Sequence, residues 1–250
     1  MTIISAGKTD TGKTRKNNED SYLVDEGLGL YAVADGIGGH EGGEVASRMA
    51  IEGLSQIVRE RCSAADHGIS AECDPAGTEL SRAFTLVNGT IRQAAAENPA
   101  LLHMGTTLTA LLFRETTAHL AHVGDSRAYR LRAGVLTQVT ADHTVIADQV
   151  RAGLLTPEQA QKSPYRHVIT RALGIDQELI ADLQVLEARP DDTFLLCTDG
   201  LTEMVDDAEI RKILSSASPQ EAAERLVREA NGRGGVDNIT VVVVQIKDNR

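Results

Sequence analysis

The chain has 250 residues, 42% of them hydrophobic, and a formal net charge of −11, enough length and apolar content to bury a core without covalent staples. That acidity disfavours nucleic acid and anionic membranes, whose phosphates it would repel, whereas an excess of carboxylates suits divalent cations. The three cysteines, Cys62, Cys73 and Cys197, are far apart and lack CxxC or Cys/His ligand spacing, so neither a disulfide framework nor a zinc site is indicated.

The opening residues MTIISAGKTD lack the basic start and apolar stretch of a signal peptide, and no apolar run approaches the ~20 residues that span a bilayer. A cytoplasmic protein is expected. The first motif, Gly7–Thr14 (GKTDTGKT), satisfies the G-x-x-x-x-G-K-[ST] phosphate-loop pattern, and Tyr31–Asp35 could pass for the metal-binding strand that accompanies it. Read alone, this pair suggests a nucleotide hydrolase. Such a loop needs a helix starting at Lys13–Thr14, because the helix N-terminus holds the phosphates. Residues Arg15–Ser21 offer no apolar side chain to pack, and Asn17-Asn18 favours a turn, so a turn is predicted there instead.

Short β-rich runs follow in order: Ser21–Val24, Leu30–Ala34, Thr106–Phe113, Ala118–Val123, Ala128–Leu131, Thr193–Thr198 and Ile239–Ile246. Apolar residues at helical spacing predict helices over Gly43–Arg61 (Val45, Met49, Leu54) and Glu79–Glu97 (Leu80, Phe84, Val87, Ile91). Cys62–Gly77 between them reads as an exposed loop. Asp142–Gly174 breaks the strand rhythm with helical pieces and two prolines, Pro157 and Pro164, suggesting a surface excursion. Two late helices are expected at Asp206–Ser215 and Pro219–Asn231. The order lacks steady βαβ alternation, so an α+β sandwich with antiparallel sheets is predicted, built as a single domain over residues 1–250.

Acidic residues stand at predicted strand ends: Glu19-Asp20, Asp35-Gly36, Asp199-Gly200 and Asp237-Asn238, with Asp125-Ser126 similar. A lone Asp-Gly is ordinarily a hairpin turn. Repetition of the pattern points instead to carboxylates collected from distant strands around hard cations, which take oxygen ligands and keep several waters.

Together Arg15-x-x-Asn18-Glu19-Asp20, Asp35-Gly36-x-Gly38-Gly39, Gly105-Thr106-Thr107, Gly124-Asp125-Ser126-Arg127, Asp199-Gly200-Leu201 and Asp237-Asn238-x-Thr240 resemble the type 2C, metal-dependent protein phosphatases, bacterial members included. The resemblance runs from Arg15 to Thr240. It implies a four-layer αββα sandwich with two central antiparallel sheets, helices outside and a metal site at one end. It further implies hydrolysis of phosphoserine and phosphothreonine in proteins by direct attack of a metal-bridging water, with Mn²⁺ or Mg²⁺.

By that resemblance Asp35 bridges two cations, Gly36 offers its carbonyl, and Asp199 and Asp237 complete the ligand set. Glu19 and Asp20 hold metals partly through water, and Asp125, with an early acidic residue such as Asp20, holds a third cation. Arg15 clamps phosphate with its guanidinium fork. Many members carry Asp-Gly-His-Gly where this chain has Asp35-Gly36-Ile37-Gly38, so that histidine is absent and His40 takes its place as candidate general acid. The segment at about 142–174 corresponds to the flap of bacterial members. The implied partners are phosphoproteins and a Ser/Thr kinase, with no nucleic acid or membrane, the protein acting as a monomer. A cysteine phosphatase is excluded, since no arginine stands six residues after any cysteine, and no DxDxT nucleophile occurs. A catalytically silent regulatory module remains the other alternative to a nucleotide hydrolase.

Overall fold

The computed structural model describes residues 1–38, 42–65, 75–161 and 163–248. Among the described residues, eleven strands form two sheets in which every pairing is antiparallel. One joins β1 (Thr2–Asp10), β11 (Ile239–Lys247), β10 (Thr193–Cys197), β7 (Arg127–Arg132) and β8 (Val135–Gln138) in that spatial order. The other joins β2 (Asp20–Asp25), β3 (Leu30–Ile37), β5 (Leu108–Arg114), β6 (Thr117–Val123) and β9 (Asp182–Glu187), with the two-residue β4 (Gly105–Thr106) against the end of β3.

Strand periodicity explains the layering. Along β3, Tyr31 and Val33 join the core between the sheets, while Leu30, Ala32 and Ala34 face α1 (Gly42–Ala65) and α2 (Pro75–Glu97). Along β11, Val242, Val244 and Ile246 point between the sheets, while Ile239, Val241 and Val243 face α6 (Asp207–Ser216) and α7 (Pro219–Gly232). Both faces are buried, so these strands read as unbroken apolar runs rather than alternating ones. The order helices, sheet, sheet, helices is the four-layer sandwich expected. Tyr31, Phe113 and Phe194 meet edge to face at its centre, with ring centroids 5.7 and 5.5 Å apart.

Helix starts follow local chemistry. Ser218 and Glu221 form a capping box with Pro219 in the first turn of α7, and Asp206 caps α6. The excursion after Asp142 carries α3 (Val145–Arg151) and α4 (Pro157–Gln161).

Three strands were not foreseen. β1 pairs with β11 over its full length, from Thr2↔Lys247 to Asp10↔Ile239, a partnership across the whole chain that its own polar, glycine-containing sequence does not announce. β8 is four residues long, and β9 is a sheet edge whose Leu183 and Val185 stay exposed, so neither displays a buried face. The loop expected at Cys62–Gly77 is shorter, since α1 runs to Ala65 and α2 starts at Pro75; residues 66–74 lie outside the described residues.

Candidate metal centre

In an antiparallel sandwich, alternate strand ends lie together. Here β2 begins at Asp20, β3 carries Asp35 near its end, Asp125 sits between β6 and β7, Asp199 follows β10 by two residues, and Asp237 precedes β11 by two. Strand register sets Asp20 directly across from Asp35. All five carboxylates belong to one electrostatic cluster: Asp35 feels Asp20, Asp199, Asp125 and Asp237, and Asp199 feels Asp125, Asp237 and Asp20.

Hydrogen bonds fix the backbone around them. Asp35 N donates to Thr107 Oγ1 (2.9 Å), and its carbonyl accepts from Thr107 N (2.9 Å) and Thr106 Oγ1 (2.8 Å), which gives the Gly-Thr-Thr run a physical role. Asn238 Oδ1 accepts from Glu19 N (2.8 Å), while its Nδ2 donates to the carbonyls of Thr11 and Asn17 (both 2.9 Å), tying the segment before β2 to the start of β11. At Gly36 a side chain would meet Gly43 O at 2.2 Å and Glu19 O at 2.6 Å, so only glycine permits this approach of three backbones.

The electrostatics are those of a site built for positive charge. Burial first, then neighbouring carboxylates, hold Asp35 and Asp199 well above the usual carboxylate range. Burial pushes Asp20 and Asp125 up to about 7 and raises Glu19 as well. Asp20 Oδ2 accepts from Thr198 Oγ1 (2.8 Å), but Asp20 Oδ1 and Asp199 Oδ1 are buried with no hydrogen-bond partner among the described residues. Orphaned carboxylate oxygens in a mutually repelling cluster fit divalent cations, which supply the missing partners and the missing charge.

Arg15 stands at the rim, its side chain half exposed, with Nη2 donating to Asp237 Oδ2 at 2.6 Å. The phosphate-loop reading of Gly7–Thr14 is overturned: residues through Asp10 are extended in β1, and Lys13 N and Thr14 N both donate to Gly235 O in a turn. Gly12, at φ +78°, makes that turn, and a side chain there would meet Asp237 O at 2.2 Å. Gly39 and His40 lie outside the described residues, so the proton donor assigned to His40 rests on the sequence alone.

Two further donors escape sequence reasoning. His167 Nδ1 lies 2.7 Å from Glu203 Oε1 and 4.0 Å from Asp199 Oδ2. Asp199 opens a one-turn helix, α5 (Asp199–Thr202), just past the strand predicted at Thr193–Thr198; Glu203, four residues on, therefore shares its face. That spacing was visible but had meaning only once the helix was known. His167 arrives from the excursion and had no local signal at all. A cleft of about 790 Å³ separates the excursion from the core, lined in part by Asp125, Arg127, Asp142, Arg166, His167 and Asp199.

A four-layer sandwich ending in such a carboxylate cluster defines a class of metal-binding hydrolase folds. The chain belongs to the protein phosphatase 2C family, whose model matches residues 11–230. It is 41% identical over 251 residues to the serine/threonine protein phosphatase PstP of Mycobacterium tuberculosis, covering 99% of this chain but 46% of that protein, so it spans about half the length of this relative. It is 38% identical to the serine/threonine phosphatase stp of Listeria innocua, covering 95% of this chain and 94% of that one. The crystal structure of the PstP catalytic domain in complex with two manganese ions superposes with a TM-score of 0.85, at 39% identity, over 98% of this chain and 99% of that one.

Proposed function

We propose that the chain is a metal-dependent phosphatase that hydrolyses phosphoserine and phosphothreonine in other proteins, without a covalent phosphoenzyme. The convergence of five aspartates with two orphaned buried oxygens at one end of the sandwich carries this reading. Asp35, the Gly36 carbonyl, Asp199 and Asp237 would hold two divalent cations, Mn²⁺ or Mg²⁺, with Glu19 and Asp20 assisting, and Asp125 would serve a third. Such cations, when bound, supply an activated water near neutral pH and offset the charge that builds on the phosphoryl oxygens. The chain's own residues do the rest. Arg15, at the rim, exchanges one fork of its guanidinium from Asp237 to the substrate phosphate. The packed strands hold each carboxylate in place, and His40 donates the proton to the leaving serine. Residues 142–174 act as a flap over the cleft and bind substrate flanking the phosphoresidue, within one catalytic domain spanning the chain.

No helix among the described residues is long and apolar enough to cross a membrane, and the net charge of −11 repels polyanions. We place the protein in the cytoplasm, as a monomer opposing a Ser/Thr kinase and binding neither nucleic acid nor membrane. The test is hydrolysis of p-nitrophenyl phosphate and a phosphothreonine peptide with Mn²⁺, with EDTA, and with ATP as alternative substrate. Turnover of the first two only with Mn²⁺ is expected. Full activity in EDTA, or ATP hydrolysis dominating, overturns the reading; no turnover of any substrate would indicate a silent module.

A further inference from the structure

His143 is 1% exposed at the start of the excursion and makes hydrogen bonds in two directions. Its Nδ1 accepts from Gly124 N at 3.1 Å, so in the neutral ring the proton sits on Nε2, which faces Asp182 Oδ2 at 3.2 Å, with the Arg171 guanidinium Nη1 also 3.3 Å from it. The His143 backbone repeats the grip: its N–H donates to Gly124 O at 2.8 Å. The far end of the excursion closes on the same residue. Thr170 N donates to His143 O (2.8 Å), and Arg171 Nη1 donates to Asp182 Oδ1 (2.9 Å), sharing that carboxylate with the imidazole. His122 lies against the ring at a centroid distance of 4.8 Å, itself held by Thr109 Oγ1 at 2.9 Å.

Gly124 is the residue before Asp125. On the other side, Ser126 Oγ is 2.8 Å from Thr107 Oγ1, the hydroxyl that also receives Asp35 N. The peptide bearing Asp125 is therefore clamped twice, by His143 towards the excursion and by Thr107 towards Asp35. Hydrogen bonds at either end of the Gly124–Ser126 backbone thus join the root of the excursion to the main chain of Asp35, with Asp125 between them.

We propose that His143 is a positioning residue, whose imidazole, fixed in one tautomer by Asp182, sets the Gly124–Ser126 peptide and so aims the Asp125 carboxylate while registering the excursion against it. This rests on reading Asp125 as a cation ligand. Residues that orient ligands in this way cost metal affinity when altered, typically about 10-fold to 100-fold.

Two substitutions separate the two ring nitrogens. His143→Asn puts a carboxamide oxygen near Nδ1 and keeps an acceptor for Gly124 N. His143→Gln reaches Asp182 but offers Gly124 nothing. Two readouts are compared in the full chain: hydrogen exchange of the 124–126 amides in metal-free protein, and the Mn²⁺ concentration giving half-maximal rate on p-nitrophenyl phosphate. His143→Gln is expected to speed exchange at Gly124 and to raise half-activating Mn²⁺ by about tenfold or more, with His143→Asn near wild type in both. If His143→Gln does not fold, Asp182→Ala, on the partly exposed edge strand, is expected to shift both readouts the same way by less. Equal behaviour of the Asn and Gln variants, or faster exchange with an unchanged metal-activation curve, overturns the proposal; so does a wild-type result for Asp182→Ala where that arm is needed. Asp125→Ala is run alongside: an unchanged metal-activation curve there shows that the underlying reading of Asp125 has failed, rather than the grip of His143 on Gly124.

Discussion

The inter-sheet core and the carboxylate end of the sandwich are made by the same strands, yet they are held in opposite ways. Residue by residue along β3, Tyr31 and Val33 are fully buried among Phe113, Phe194 and the valines of β11, with apolar surface removed from water. A few residues on, Asp35 sits in a cluster whose charges repel and whose buried oxygens include two without partners. The first region stabilises the fold whatever the solution contains. The second is strained until something positive arrives, and the strain is carried by the first.

The comparison breaks most visibly in turnover. Asp199→Asn should lower the rate by several orders of magnitude while circular dichroism and the unfolding transition persist, because removing a charge from a repelling cluster does not cost packing. Unfolding of this variant, rather than loss of rate, would mean that the carboxylate supports the fold. Phe194→Ala should do the reverse, destabilising by about 3–5 kcal/mol in urea titration while any enzyme still folded keeps its metal-activation curve. A shifted curve would show that the core and the metal end are coupled through the strands.

A pH series sharpens the contrast. Asp20 and Asp125 have folded pKa values raised to about 7 from 3.8, so their favourable contribution is fully present below the unfolded value and is lost as pH rises through the folded one. Burial lowers His122 from 6.5 to about 4, a group whose contribution is fully present above 6.5 and lost only below it. Between pH 6.5 and about 8 the aspartates therefore dominate, and metal-free protein should lose roughly 1 kcal/mol of stability over that span. With millimolar Mn²⁺ the slope should invert, since cation binding displaces protons, and stabilisation of about 2.7 kcal/mol is expected at a hundredfold excess over Kd. Thermal melts in EDTA and in Mn²⁺ at several pH values measure both; parallel slopes would remove the shared cation site.

The smallest effect belongs to the misleading motif. Lys13→Ala should leave turnover, KM and ATP affinity within about twofold of wild type, since Lys13 lies exposed in the turn against Gly235. Arg15→Ala should raise KM several-fold by comparison, because only the guanidinium has a fork suited to phosphate. A lysine effect as large as the arginine effect would reopen the nucleotide reading.

Much of this molecule was legible before its structure. Apolar runs such as Ile239–Ile246 and Thr193–Thr198 announce buried strands, the helical spacing of Leu80, Phe84, Val87 and Ile91 announces α2, and the repeated strand-end aspartates point to cations. These signals are local: period, propensity and the company each carboxylate keeps are written within a few residues. β1 is not local, since its partner lies across the whole chain and its side chains are mostly polar. Neither is the opening of a helix at Asp199, the arrival of His167 beside Glu203, nor the double clamp of His143 and Thr107 on the Asp125 peptide. Each of these depends on distances between segments far apart in sequence. Sequence alone therefore determined where carboxylates recur beside strands and which faces must be buried. Only the packing of two sheets decided which carboxylates meet, because strand register turns residues apart in sequence, such as Asp20 and Asp35, into neighbours whose charges repel.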